Sequence, residues 1–233
     1  MPSLTKLRRL KLKTLNATVV DLLSELIFSG QIGAGERVNE SELVRQLEIS
    51  RSPIREALHT LEEQGIVTNK PRRGTFVIKL TQQDVQKINT TRLVLESRAL
   101  CLCKQNFDSK LEQELLQMVE KLDGTDPSLE VSTVRRVDLQ FHRAIWDHCG
   151  DEYLAAALVR LTAPLFVYAA DMDKKGLGRT RPPHGPFLQW LQGQSKQTAE
   201  DVVLEHLRAG YDNLEPVRDY DRGVERVVRT ENC

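Results

Sequence analysis

The chain has 233 residues, 33 Lys+Arg against 33 Asp+Glu, and apolar and aromatic contents of 40% and 5%. That length suits one or two domains, and the balance is that of an ordinary globular protein, which excludes a disordered or fibrous chain. A core this poor in aromatic residues must be built from Leu, Val, Ile and Ala, which suits packed helices. No apolar run approaches the roughly 18 residues of a membrane span. Residues 1–80 carry 13 Lys+Arg against 9 Asp+Glu, and the rest 20 against 24. A basic front on a neutral chain suits an anion-binding unit joined to something else. Cys101, Cys103, Cys149 and Cys233 form no C-x-x-C pair, so reduced thiols in a cytoplasm are expected.

Residues 1–13 are basic, with Lys6, Arg8, Arg9, Lys11 and Lys13, and no apolar leader follows. They read as an arm near DNA or a frayed terminus. Leu15, Val19, Leu22, Leu23, Leu26 and Ile27 recur at helical spacing and predict a first helix ending near Gly30. Asn39 can cap a second helix, with Glu42 three residues on in a capping-box pattern. After Ser50 to Ser52, a third helix runs to about Gln64, opened by Pro53 in its first turn and closed by Gly65. Ile66–Thr68 and Thr75–Ile78 then read as short strands around a turn, Lys70-Pro71-Arg72-Arg73-Gly74. Three helices and a hairpin within 14–80 make a winged helix-turn-helix. From Thr81 and Asp84 onward the pattern is helical, with helices expected near 82–105, 109–123, 128–149, 151–173, 184–194 and 198–214. The fold class is therefore mainly α: a winged helix-turn-helix followed by an all-α helical bundle over 81–215, with a charged, mobile tail over 216–233.

A helix-turn-helix presents the start of its second helix to base edges. Here that start is Ser50-Arg51-Ser52-Pro53-Ile54-Arg55. Arg51 and Arg55 share one helical face, and arginine reads guanine through two bonds. Ser50 and Ser52 suit phosphates, and the turn carries Lys70, Arg72 and Arg73 for the backbone or the minor groove. In the second half, Asp138 and His142 stand four apart on one predicted helix, and His184 and His206 follow on two others. Carboxylate and imidazole suit a divalent first-row metal. A surface ion pair is the simpler reading of that spacing alone. A metal-activated water would make the second half a hydrolase, but no residue stands out as a general base.

Asn39-Glu40-Ser41-Glu42-Leu43, Ile49 to Leu58, Leu61, Gly65 and Arg73-Gly74-Thr75-Phe76-Val77 resemble the GntR family of bacterial regulators over roughly 14–78. The resemblance implies DNA binding by Arg51 and Arg55, with Gly74 and Thr75 in the wing. Some members carry an arginine where this chain has Ser41. Residues 80–214 resemble the FadR-type ligand-binding domain called FCD. That likeness implies a divalent metal on Asp138, His142, His184 and His206, zinc first, with nickel or manganese as alternatives. It also implies an organic or sugar acid as effector and Arg92 as a residue that holds it. A structural pair with Glu96 is the other reading of Arg92. The Pro182-Pro183-His184-Gly185-Pro186 run is a poor helix opening. His59 and His148 read as surface or helix-end residues. The family implies a homodimer on a palindromic double-stranded operator, and a repressor released by its effector. A metal that is itself the signal, or a purely structural one, are the alternatives.

Overall fold

Val19, Leu23 and Ile27 form one buried stripe along α1 (Leu15–Phe28) in the computed structural model, which describes residues 15–124, 130–177 and 182–210. The basic arm and the charged tail lie outside the described residues. The short α2 (Glu40–Leu47) buries Leu43. Asn39 caps it by accepting from the Glu42 amide. The reciprocal half of the expected capping box is missing, because the Glu42 carboxylate bonds Arg45 and Gln46 instead. α3 (Arg51–Glu63) buries Ile54, Ala57, Leu58 and Leu61 against α1. Ser50 holds its N-cap position without a side-chain bond to the helix.

β1 (Val67–Lys70) and β2 (Gly74–Val77) pair antiparallel, with Thr68 opposite Phe76 and Lys70 opposite Gly74. Both strands sit within a residue or two of the expected positions. The segment before α2 extends this ladder. Arg37 bridges Phe76, the Val38 amide donates to the Thr75 carbonyl, and the Val77 amide donates to the Glu36 carbonyl.

A reciprocal capping box of Thr81 and Asp84 starts α4 (Gln82–Gln105), which runs where the periodicity placed it. α5 (Ser109–Leu122), α6 (Val131–Asp147), α7 (Glu152–Lys174), α8 (Gly185–Leu191) and α9 (Ala199–Gly210) follow. α4 packs on α6, α7 and α9 and forms the spine of this bundle. α7 has the length and apolarity of a membrane span, and 56% of its most apolar stretch is packed inside the protein. That is how a bundle's core helix meets the same criterion. Cys101, Cys103 and Cys149 are buried and unbridged. Burial, helped by nearby Cys149, pushes the Cys103 thiol up to about 12, which makes it inert.

The winged helix packs directly on α6 and α7. Gly65 has φ +75, and a Cβ there would lie 3.0 Å from the Arg160 carbonyl and 3.2 Å from Pro164 Cγ. Pro164 has no N–H to give the carbonyl four residues earlier. Gly65 thus ends α3 and lets its loop approach the break in the α7 hydrogen-bond ladder. At the far end of α1, the Phe28 ring packs on Phe166 of α7 with centroids 5.8 Å apart.

Candidate metal centre and DNA-facing surface

Arg51, Arg55, Ser50 and Ser52 are all exposed at the start of α3. Arg55 Nε sits 3.3 Å from Glu40 Oε2 of α2, and Ser52 Oγ donates to Glu56 Oε1 at 2.9 Å. Lys70, Arg72 and Arg73 are exposed at the hairpin tip, with Lys70 Nζ 4.8 Å from the Phe76 ring centre. Arg72 and Gly74 both take positive φ, 63 and 95, which makes the tight turn. Gly74 has a second use. A Cβ there would lie 3.1 Å from Arg37 Nε, so glycine lets the exposed Arg37 side chain lie along the wing. Arg37 adds a cation that no local pattern had singled out. Thr75, next along β2, is 4% exposed, because its register in the strand turns it inward.

In the bundle, His142 of α6, His184 before α8 and His206 of α9 converge. Each offers one nitrogen within 4.8 Å of the others, and all three are buried. Ring centroids are 5.5 Å apart for His142 and His184, and 4.9 Å for His206 with either. Asp138, one turn before His142, joins them. Its Oδ1 lies 3.1 Å from His184 Nε2 and 3.4 Å from His142 Nε2. The four residues expected to meet therefore do meet. The proline-rich run does not displace His184, because His184 is the N-cap of α8 and Pro186 falls in the first turn, where proline is tolerated.

Each imidazole has an oxygen opposite its Nδ1. His206 Nδ1 faces the Pro183 carbonyl at 3.2 Å, His184 Nδ1 faces Asp123 Oδ1 at 3.4 Å, and His142 Nδ1 faces Glu96 Oε2 at 3.8 Å. The two longer approaches leave His142 Nδ1, His184 Nδ1 and Glu96 Oε2 buried without a hydrogen bond. With an oxygen on the Nδ1 side of each ring, the other ring nitrogens are turned toward a common centre, which resembles how metal-ligating histidines are held. Donors around zinc stand at about 2.0–2.1 Å from the ion and so within about 4 Å of each other. The donor set fits a divalent cation with little contraction.

Electrostatics point the same way. Burial alone would raise the Asp138 carboxyl, but the charge on His184 and hydrogen bonds from His142 and His184 hold it well below the usual carboxylate range. Burial would lower His184, but the Asp138 and Asp123 carboxylates raise it to about 9. Burial, then the positive charges of His184 and His142, hold His206 well below its ordinary value. The Asp138 and Asp123 carboxylates thus favour positive charge at His184, against the burial that opposes it. A divalent cation would supply such a charge.

Asp123 was not legible as a site residue. It closes α5 and accepts from the His184 and Gly185 amides at 2.8–3.1 Å. It lies 61 positions from His184 in the chain. Arg92 makes the structural pair with Glu96. Its Nε bonds buried Glu96 at 2.6 Å and its Nη1 reaches Asn89 at 3.3 Å, yet it also lines a cavity of about 300 Å³. Asp138, His142 and His206 line that cavity too, as do the apolar Val134, Leu165 and Phe166. Thr162 and Arg135, neither expected, line it as well. His59 is exposed near Glu63. His148 caps the end of α6, with Nδ1 2.7 Å from the Ala144 carbonyl.

Comparison with known proteins agrees with this layout. A regulator of Bacillus subtilis known as YdhC, of the HTH type, is 28% identical, covering 84% of this chain and 88% of that one. The gluconate operon transcriptional repressor of Bacillus licheniformis is 31% identical, covering 81% and 79%. The solved structure of E. coli McbR/YncC superposes with a TM-score of 0.69 at 20% identity, covering 90% of this chain and 100% of that one, a likeness of fold. Residues 15–77 match the model for bacterial regulatory proteins of the gntR family, and residues 87–209 match the FCD domain. The chain belongs to the gntR family of DNA-binding transcriptional regulators and carries the histidine cluster in an FCD domain.

Proposed function

We propose that this regulator is a homodimeric repressor whose hold on a palindromic operator is set by a small organic or sugar acid bound beside a divalent metal, zinc first. The observation that carries the reading is the cavity of about 300 Å³ bordered by Asp138, His142, His206 and Arg92. Its size is at the low end for ligand pockets, about 300–1,000 Å³, so the effector is a small metabolite. Asp138, His142, His184 and His206 would hold the metal. When bound, the metal supplies a Lewis-acidic position for a carboxylate oxygen. Arg92, already oriented by Glu96 and Asn89, adds a fixed positive charge beside it. The relative that represses a gluconate operon supports an acid of this kind. The hydrolase alternative falls with the family, whose members regulate transcription. Two winged helices on one palindrome double the base contacts, and cytoplasmic DNA is their place of work.

The test is an electrophoretic shift on operator DNA selected from a random pool, with zinc-loaded full-length protein. Gluconate, citrate or another small hydroxy acid is expected to release the DNA. A shift that tightens on adding acid would overturn the repressor direction. Release by zinc alone, with no response to acids, would make the metal the signal.

Asp123 gives a second check. Loss of a residue that orients a metal-ligating histidine costs about 10–100-fold in metal affinity. Asp123→Ala should therefore weaken zinc binding by that factor in a chelator competition. Asp123→Asn keeps an acceptor for the His184 and Gly185 amides and should fall between. Equal affinity in all three proteins would reduce Asp123 to a helix cap.

A further inference from the structure

Arg135 joins the cavity to the DNA-binding head. It lies on α6, one turn before Asp138, is 9% exposed, and lines the cavity. Its guanidinium donates to the carbonyl of Phe28, the last residue of α1, and pairs with Asp173 near the end of α7. The Phe28 ring rests on Phe166, which lines the same cavity. Two contacts thus tie the end of α1 to the wall of the ligand space. Close by, Thr162 is 1% exposed and its hydroxyl is buried with no hydrogen-bond partner. Such an orphan polar group in a cavity wall is a position for a ligand atom.

We propose that the cavity has a second anionic subsite at Arg135 and Thr162, in addition to the cluster of Asp138 and the histidines, so that the effector is a small acid with two anionic ends. This rests on the reading of the cavity as the effector site. A ligand carboxylate competes with the Phe28 carbonyl for the Arg135 guanidinium. It wins because a charged acceptor makes a bond about twice as strong as a neutral one. Phe28 is 2% exposed, so its abandoned carbonyl must find water or another donor, and the end of α1 must move to let it. Occupancy of the cavity is thereby coupled to the placement of the winged helix. A ligand with a single anionic end, held at the metal, leaves the Arg135–Phe28 bond intact and gives the two head positions no difference in affinity to act on.

The experiment uses zinc-supplemented full-length protein and acids of matched length: succinate against butyrate, glutarate against valerate, adipate against hexanoate. In at least one pair the dicarboxylate is expected to bind about tenfold or more tightly by calorimetry, as one extra bond between charged groups allows. Amide hydrogen exchange should quicken at Ser29, Gly30 and Ile32 with that dicarboxylate and not with its partner. In Arg135→Gln the preference should vanish and the exchange response with it. Asp173→Asn removes the rival carboxylate while keeping Arg135, and should strengthen dicarboxylate binding. No preference in the wild type, a preference kept in Arg135→Gln, or weaker binding in Asp173→Asn would each overturn the subsite. Operator release by acids with no dicarboxylate preference would sink the subsite and leave the regulator reading standing. An operator indifferent to every acid and to zinc would sink that reading itself.

Discussion

His142→Ala is expected to leave the protein without bound metal. Structural zinc sites hold their ion with about 10–16 kcal/mol, so one of four ligands carries roughly 3 kcal/mol, or about a hundredfold in affinity. The loss here should be at the upper end. His142 sits between Glu96 and Asp138 and packs against Trp146 and Phe141, so alanine also leaves a gap that no neighbouring donor can close. Elemental mass spectrometry of tag-free protein should find about one metal per chain in the wild type and none in the variant. Zinc present at about a thousand times its Kd adds about 4 kcal/mol to the folded state. The wild type should therefore gain a clear rise in Tm on zinc addition that His142→Ala does not. Asp138→Asn checks the result without a cavity. A full metal complement in both variants would dissolve the proposed centre.

Arg51→Ala and Arg55→Ala should each remove about 1–3 kcal/mol of discrimination against a wrong base, if each makes a two-bond contact to guanine. In a two-headed complex both half-sites lose it, so each variant should weaken operator binding by about 2–6 kcal/mol while nonspecific DNA is held nearly as before. The Arg55–Glu40 contact does not oppose this, because an exposed ion pair of this kind is worth at most about 1 kcal/mol and is easily exchanged for a base edge. Lys70→Ala serves as the contrast. A phosphate contact carries no sequence information, so specific and random DNA should weaken together, with a shallower salt dependence. Fluorescence anisotropy on operator and scrambled duplexes separates the two outcomes. Uniform weakening by Arg51→Ala would reassign that residue to the backbone.

Much of the fold was legible because helix signals are local. Thr81 with Asp84, Asn39 ahead of α2, and Pro53 and Gly65 bracketing α3 each act within a turn of themselves. Some boundaries lie elsewhere than the periodicity suggests. α8 is shorter than periodicity suggested, seven residues ending before Gly193 with its φ of +75, and the end of α9 expected at 214 lies outside the described residues. The inward facing of Thr75 was not legible, because a strand's facing depends on its register, which a sequence of two short strands leaves open.

The histidine cluster shows both sides. Asp138 and His142 share a face by helical spacing alone, so their pairing was written in the sequence. That His184 and His206 join them depends on α8 and α9 folding back over α6 and α4, a packing that buries Phe187, Val203 and Leu207 and that no local pattern encodes. Asp123, Arg135 and Thr162 were invisible for the same reason. Asp123 acts 61 residues away, on the His184 amide, and Arg135 acts 107 residues away, on the Phe28 carbonyl. The sequence by itself determined the elements, the exposed arginines of the recognition helix and the chemical types available for a metal. Only the tertiary structure decided which buried polar groups face one another, because burial removes water as the alternative partner and leaves each group to be satisfied by whatever distant element packing brings to it.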